Sequence, residues 1–98
     1  MEKDVLTKEV EKLIGQKKCQ FRYKSEIVLV GEVSDVSVLL EEINSDNEEL
    51  DNYGFSGQAM IGVEDNGGFL NLRHTINGTA KVIGETVQIK EPVSINRI

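Results

Sequence analysis

Cys19 and His74 are the only thiol and the only imidazole in the chain. A thiolate nucleophile requires an adjacent base, and histidine is the usual one. Both residues fall on the apolar faces of predicted strands, which is more typical of a buried cysteine acting as a small hydrophobe and of a core histidine bonded to a neighbour. Zinc needs three or four Cys, His or carboxylate ligands at suitable spacing, and this set is absent from the sequence. We therefore predict a protein that is not an enzyme, with no catalytic residue, no metal site and no cofactor.

Two glycines, Gly57 and Gly62, have the spacing of a phosphate-binding loop. In such a loop the second glycine is followed by Lys and then by Ser or Thr, which neutralise the phosphates and hold magnesium. Here Val63 and Glu64 follow, and the carboxylate of Glu64 would repel a phosphate. The spacing therefore favours a strand in which glycines allow close approaches of the backbone.

Carboxylates are concentrated between residues 46 and 51, where they could coordinate calcium. An EF-hand loop requires glycine at its sixth position and glutamate at its twelfth. Counted from Asp46, the sixth position is Asp51, so the EF-hand motif is excluded. A weak, irregular calcium site remains open as an alternative.

The net charge of −6 is unevenly distributed along the chain. Residues 1–25 carry a net charge of +3 and residues 67–98 a net charge of +2, whereas residues 26–66 contain eleven carboxylates and no Lys or Arg. Two interpretations are open for this middle region. It is either a solvated segment that keeps the protein soluble, or an acidic surface that docks onto a basic protein by charge complementarity.

We favour the second interpretation, which predicts a small non-catalytic binding protein of the inhibitor, immunity or regulatory type, with a basic protein surface as its partner. The candidate partner-binding residues are Glu41, Glu42, Asp46, Glu48, Glu49 and Asp51.

Three alternatives stay open. The protein could be a self-assembling structural subunit, since an unprotected edge strand promotes homo-oligomers. It could bind nucleic acid through its basic first quarter, although direct binding is not expected because the acidic middle repels phosphate backbones. It could also be a small enzyme or ligand-binding barrel that uses His74.

The composition describes one domain spanning residues 1–98. Hydrophobic residues make up 39% of the chain and aromatic residues only 5%, so the core must consist largely of Val, Ile and Leu. No apolar run approaches the roughly 20 residues that a membrane-spanning helix needs. The first twelve residues are charged where a signal peptide would be apolar, and a single cysteine cannot form an internal disulfide. We expect a cytoplasmic protein with no membrane segment.

The first half of the chain combines a helix with short strands. Apolar residues at helical spacing predict a helix over about 4–16, which includes Leu6, Val10, Leu13 and Ile14. Alternation then predicts a strand over 19–24, and the apolar run 27–33 predicts a central strand covered on both faces. Residues 36–43 fit a helix or a strand, with the valines favouring a strand. Residues 44–54 are predicted to form an acidic loop.

The second half reads as a series of strands over 55–64, 69–76, 79–90 and 93–97, with a tight turn at 65–68. Asn77-Gly78 is a favoured hairpin turn, and a break is expected near Gly84. Pro92 is expected to open a last edge strand. Together these elements predict an α+β domain in which an N-terminal helix packs on a strongly twisted antiparallel sheet or small barrel with a C-terminal meander.

One segment resembles a known family. The sequence VLVGEVSDVSVLLEEI, residues 28–43, preceded by a helix and an alternating strand, is similar to the first half of an Sm-like barrel. The similarity covers about a sixth of the chain and has no matching second half. The RNA-binding positions of that family have no counterpart here, so the resemblance implies only a small bent barrel.

Overall fold

A computed structural model describes residues 2–16, 19–28, 31–43 and 51–98. These residues form one helix and six strands in a single sheet. The elements are α1 (Lys3–Gly15), β1 (Phe21–Tyr23), β2 (Glu26–Val28), β3 (Val33–Ile43), β4 (Asp51–Asp65), β5 (Gly68–Ile83) and β6 (Thr86–Arg97). The order of strands across the sheet is β2-β1-β6-β5-β4-β3.

Helix α1 agrees with the expected range 4–16 to within one residue at each end. Leu6, Val10 and Ile14 recur at intervals of four residues, lie on one face of the helix, and are all buried. The face they form packs against β3 and β6. Burial of this apolar stripe, rather than any side-chain cap, therefore fixes the helix on the sheet.

The sheet is mixed and open, which corrects the prediction of a purely antiparallel sheet and of a closed barrel. Strand β1 runs parallel to β6, with Phe21 opposite Val93, whereas the other neighbouring strands are antiparallel. The two outer strands, β2 and β3, lie at opposite ends of the strand order. Periodicity predicts strands but contains no information on which distant strands pair, so this parallel contact was missed.

The apolar run 27–33 does not form a central strand. Its first part belongs to β2, which pairs with β1 alone and lies at the edge of the sheet, and the Ile27 side chain is 56% exposed. Val33 instead begins β3. Residues 29 and 30 lie outside the described residues. A short apolar run does not by itself tell whether a segment lies in the middle of a sheet or at its edge, and here it lies at the edge.

Residues 36–43 form a strand, as the valines indicated. Strand β3 begins at Val33 and contains an irregularity between Ser34 and Ser37, where Asp35 adopts a φ of 49°. The predicted acidic loop was too long at its C-terminal side, because residues 51–54 belong to β4 and pair with residues 79–82 of β5. Residues 44–50 lie outside the described residues.

The expected hairpin turn at Asn77-Gly78 is wrong, because β5 continues through it. Gly78 lies opposite Phe55, and a Cβ atom on Gly78 would lie 2.7 Å from Cζ of that ring. The glycine is therefore required by packing rather than by a turn. The chain reverses instead at Gly84, which has a φ of +62°, and Glu85, so the predicted break near Gly84 is the β5–β6 turn.

Pro92 does not open an edge strand. It lies inside β6, beside Val93, whose backbone amide donates a hydrogen bond of 2.8 Å to the carbonyl of Gln20. Between Lys90 and Ser94 three residues of β6 face the single residue Gly78 of β5. This bulge accommodates a proline in a strand that has neighbours on both sides, because Pro92 has no register partner in β5 and the pairing with β1 uses Val93 and Ser94.

The core lies on one face of the sheet. Alternate residues of β4, β5 and β6 point to it, and α1 packs on this face against β3 and β6. The buried sheet residues include Phe55, Ala59, Ile61, Ile76, Ala80, Val82, Val93 and Ile95. Strands β4 and β5 are long, and the molecule measures 49 × 25 × 20 Å. One helix cannot cover a sheet of this length, so part of the same face remains open toward the β4–β5 turn.

Candidate functional site

The predicted acidic site is described only in part. Glu41 and Glu42 are exposed near the end of β3, opposite Gly54 and Tyr53 of β4. As neighbours in a strand they point to opposite faces of the sheet. Asp51 begins β4, and only its backbone is described. The other three candidates, Asp46, Glu48 and Glu49, lie outside the described residues.

An apolar row accompanies Glu41 on the outer face of β3. Leu39 is 80% exposed and Ile43 is 44% exposed, and both share a face with Glu41. Opposite this row, β4 contributes the small residues Ser56 and Gly54. The result is a shallow depression of about 450 Å³ in the outer face. The end of β3 therefore combines exposed leucine, exposed carboxylate and open space.

The remaining described carboxylates of the acidic middle region include a group at the opposite end of β4. Glu32 is held there because its carbonyl accepts a hydrogen bond of 2.7 Å from the amide of Gly62. Glu64 is exposed two residues beyond Gly62. Glu42 lies opposite Tyr53 of β4. Along β4, Tyr53 is about 35 Å from Glu64 at a rise of about 3.3 Å per residue. The carboxylates therefore lie at both ends of the sheet rather than in one place.

Two lysines lie on the outer face near the Glu41 end. Lys81 of β5 is opposite Asn52, and Lys90 of β6 is opposite Thr79. Both lysines line a depression of about 300 Å³. Because neighbouring strands are about 4.8 Å apart, Lys81 lies about 10 Å from the backbone of Ile43 in β3. On this part of the outer face the exposed carboxylate of Glu41 thus lies on β3, and the two lysines lie on β5 and β6.

Cys19 is a buried thiol. Its side chain is 7% exposed, and its Sγ–H donates a weak 3.9 Å contact to the carbonyl of Leu13. Burial raises the pKa of the Cys19 thiol to about 11, and the nearby carboxylate of Glu91 adds to the effect. A thiol with this pKa is protonated at neutral pH and is a poor nucleophile. The structure therefore agrees with its interpretation as a small core residue.

His74 is the one buried polar residue in the described core, with 2% exposure. Its Nδ1 lies 2.8 Å from the carbonyl oxygen of Leu72, and because a carbonyl can only accept, Nδ1 carries the proton. The Tyr23 ring meets the imidazole edge to face at a centroid distance of 6.3 Å. Nδ1 is thus committed to the backbone, and Nε2 is the nitrogen left for another partner.

His74 lines a cavity of about 330 Å³ at the part of the core face that α1 does not cover. Its apolar lining includes Ile61, Phe69 and Ile95, and its polar lining includes Tyr23 and Arg97. Arg97 is exposed and lies directly opposite His74 in the β5–β6 register. Sequence reasoning placed His74 on an apolar face but missed Tyr23 and Arg97. These two residues, 74 positions apart, line one cavity because β1 pairs with β6, and this pairing leaves no local signal in the sequence.

The glycines of the rejected phosphate-binding motif lie in β4. A Cβ atom on Gly57 would come within 2.7 Å of the Cα atom of Val38 in β3, so glycine is needed for the strands to approach. The described residues contain no group of three His, Cys, Asp or Glu side chains that could hold a metal ion. No helix in the described part of the chain is long and apolar enough to span a membrane.

No protein-family model, no curated protein and no solved structure matches this chain. Function must therefore be inferred from the geometry of its own residues.

Proposed function

We propose that this protein is a non-catalytic binding module that docks onto a basic surface of another protein with the acidic end of β3 and β4. The docking residues are Glu41, Glu42, Asp46, Glu48, Glu49 and Asp51. The observation that carries the proposal is the outer row of β3, where Leu39 is 80% exposed beside the exposed carboxylate of Glu41.

This arrangement resembles the anatomy of a protein interface. Interfaces combine an apolar centre with a polar rim, and a few residues supply most of the binding energy. Leu39 and Ile43 would form the apolar centre, and Glu41 and the acidic segment that follows would form the rim. Complementary charge mainly raises the rate of association and selects the partner, whereas desolvation of Leu39 supplies affinity.

The two lysines on the same face limit where the partner can contact. Lys81 and Lys90 lie on β5 and β6, so a basic partner is attracted to the β3 edge and repelled from the β6 side. The proposal therefore predicts an asymmetric footprint centred on β3 rather than on the middle of the sheet.

The test is a charge-neutralised variant, E41Q/E42Q/E48Q/E49Q, assayed against basic proteins that a wild-type column retains from host lysate and releases with salt. The purified partner is then titrated with each form at low and high salt. We expect affinity to fall at least tenfold and the salt dependence to flatten, because surface charges act over a Debye length of about 10 Å at 0.1 M salt.

The matched control is E2Q/E26Q/E85Q/E91Q, which removes the same charge from four exposed residues elsewhere. It should bind like the wild type. Equal loss in both variants would mean that net charge alone matters, and unchanged affinity in the first variant would exclude the acidic site. A mass that doubles with concentration, with no partner retained, would favour the self-assembling subunit instead.

A further inference from the structure

The cavity around His74 is not used by the proposed docking surface, since it lies on the core face and toward the opposite end of β4. We propose that this cavity binds a small amphipathic carboxylate, with the carboxylate on Arg97 and Tyr23 and the apolar tail along Ile61 and Phe69.

The polar end of the cavity supplies hydrogen-bond donors. The Arg97 guanidinium can bind a carboxylate with two parallel hydrogen bonds, and the Tyr23 hydroxyl can donate a third. Lys24 adds a second positive charge, with its Nζ 5.3 Å from the centre of the Tyr23 ring. Glu26, opposite Tyr23 in the β1–β2 register, offsets one of these two charges. The net charge at this end is therefore positive.

His74 holds Tyr23 in place at that end. Its ring is fixed by the Nδ1 hydrogen bond to the Leu72 carbonyl, and its edge-to-face contact restrains the Tyr23 ring. His74 is a buried polar side chain and lines the cavity together with Tyr23 and Arg97. A few polar groups that converge on one apolar cavity are typical of ligand-binding sites. His74 is thus a positioning residue for the donors.

The rest of the lining is apolar and sets the shape of the tail. From Ala59, which faces His74, to Val63, the inner face of β4 extends about 13 Å at about 3.3 Å per residue. Phe69 lies opposite Glu64, at the end of this stretch, and lines the cavity there with its ring against Gly31, where an added Cβ would be 3.0 Å from Cε1. The Phe69 side chain is 70% exposed, and a bound tail would cover part of it.

The carboxylate cannot occupy the other end equally well. Glu64 lines the cavity there, five residues along β4 from Ala59, and would repel a second anion. The cavity therefore has a positive end and a negative end. A ligand with one carboxylate and an apolar tail fits in one orientation, and a dicarboxylate of the same length is disfavoured.

The experiment compares three probes with the same tail and different heads: octanoate, octanol and octylamine. Amide chemical shifts of the labelled protein report where each probe binds, and calorimetry reports its affinity. We expect octanoate to bind saturably, with shifts centred on β1, β6 and residues 61–74, and at least tenfold more tightly than the other two. Equal affinity for octanoate and octanol would overturn carboxylate recognition, and shifts confined to other surfaces would overturn the site.

Two pairs of variants locate the contacts. Arg97→Gln should weaken octanoate binding at least tenfold while leaving octanol unchanged, and Arg22→Gln, the exposed arginine of β1 that does not line the cavity, is its control. Phe69→Ala should weaken octanoate and octanol alike, with the exposed neighbour Leu70→Ala as control. If the two variants of a pair weaken octanoate binding equally, the proposed contact is rejected. A dimer that forms through Phe69 and excludes octanoate would also reject it.

Discussion

The carboxylate of Glu11 accepts a hydrogen bond of 3.0 Å from the backbone amide of Val38, which joins helix α1 to strand β3 across 27 residues of sequence. Because β3 lies at the end of the strand order, its outer amides pair with no other strand among the described residues. Unpaired amides at a sheet edge can pair with another chain. Glu11 therefore both anchors the helix and protects the edge on which the proposed docking surface lies.

Replacing Glu11 with alanine should lower the free energy of unfolding by about 1.5–3 kcal/mol, the usual contribution of a hydrogen bond to a charged group. It should also expose the β3 edge to self-pairing. Urea unfolding measures the first effect, and light scattering over a range of concentrations measures the second. Glu9→Ala on the same helix is the control, and equal losses in the two variants would remove the special role of Glu11.

Replacing Gly57 with alanine should destabilise the protein by about 2–4 kcal/mol or prevent folding, in the range of severe packing changes. The new Cβ would lie 2.7 Å from the Val38 Cα atom, and backbone atoms cannot move aside as a flexible side chain can. Gly54→Ala is the control, because the nearest atom there is Cδ1 of Ile43 at 3.4 Å. Thermal unfolding compares the two variants, and similar melting temperatures would contradict the close approach of β3 and β4.

Leu39 and Leu40 are neighbours in β3 with opposite environments, since Leu39 is 80% exposed and Leu40 is 5% exposed. Leu40→Ala should cost about 2–5 kcal/mol of stability, as for other buried leucines. Leu39→Ala should change stability by less than about 0.5 kcal/mol but weaken binding to a partner. Denaturant unfolding and partner titration separate the effects. The reverse order of stabilities would mean that the register of β3 is shifted by one residue.

The raised pKa of Cys19 predicts a pH dependence of stability. Well below pH 9 the thiol is protonated in both the folded and unfolded states, so its contribution to stability is complete. Between pH 9 and about 11 the unfolded chain loses this proton first, and the free energy of unfolding should fall by on the order of 2 kcal/mol. The measurement is the difference between the wild type and Cys19→Ala from pH 7 to 11. A constant difference over this range would show that the thiol is not desolvated.

Local patterns predicted the elements that depend on local physics. The stripe of Leu6, Val10 and Ile14 gave the helix, and the turn after Asp65 is present, with positive φ values at Asn66 and Gly67. These features follow from the spacing of apolar residues and from the backbone preferences of asparagine and glycine. Neither depends on which distant segments meet.

Features that depend on distant segments could not be predicted. Asn77-Gly78 has the composition of a turn, but the Phe55 ring on the neighbouring strand needs space at Gly78, and β5 continues. A proline is typical of an edge strand, but β6 is not an edge strand, because β1 pairs with it at Val93, the residue after Pro92. For the same reason the sequence indicated His74 alone, while the cavity also needs Tyr23 and Arg97.

The position of β6 between β1 and β5 has a consequence for synthesis on the ribosome. Until residues 86–97 have been translated and have left the exit tunnel, β1 has no neighbour except β2, and Phe21 has no Val93 to pack beside. A growing chain that stops short of this strand should remain sensitive to protease and dependent on chaperones, since non-local pairing cannot begin before both partners exist. The sheet is therefore completed only when β6 pairs with both β1 and β5.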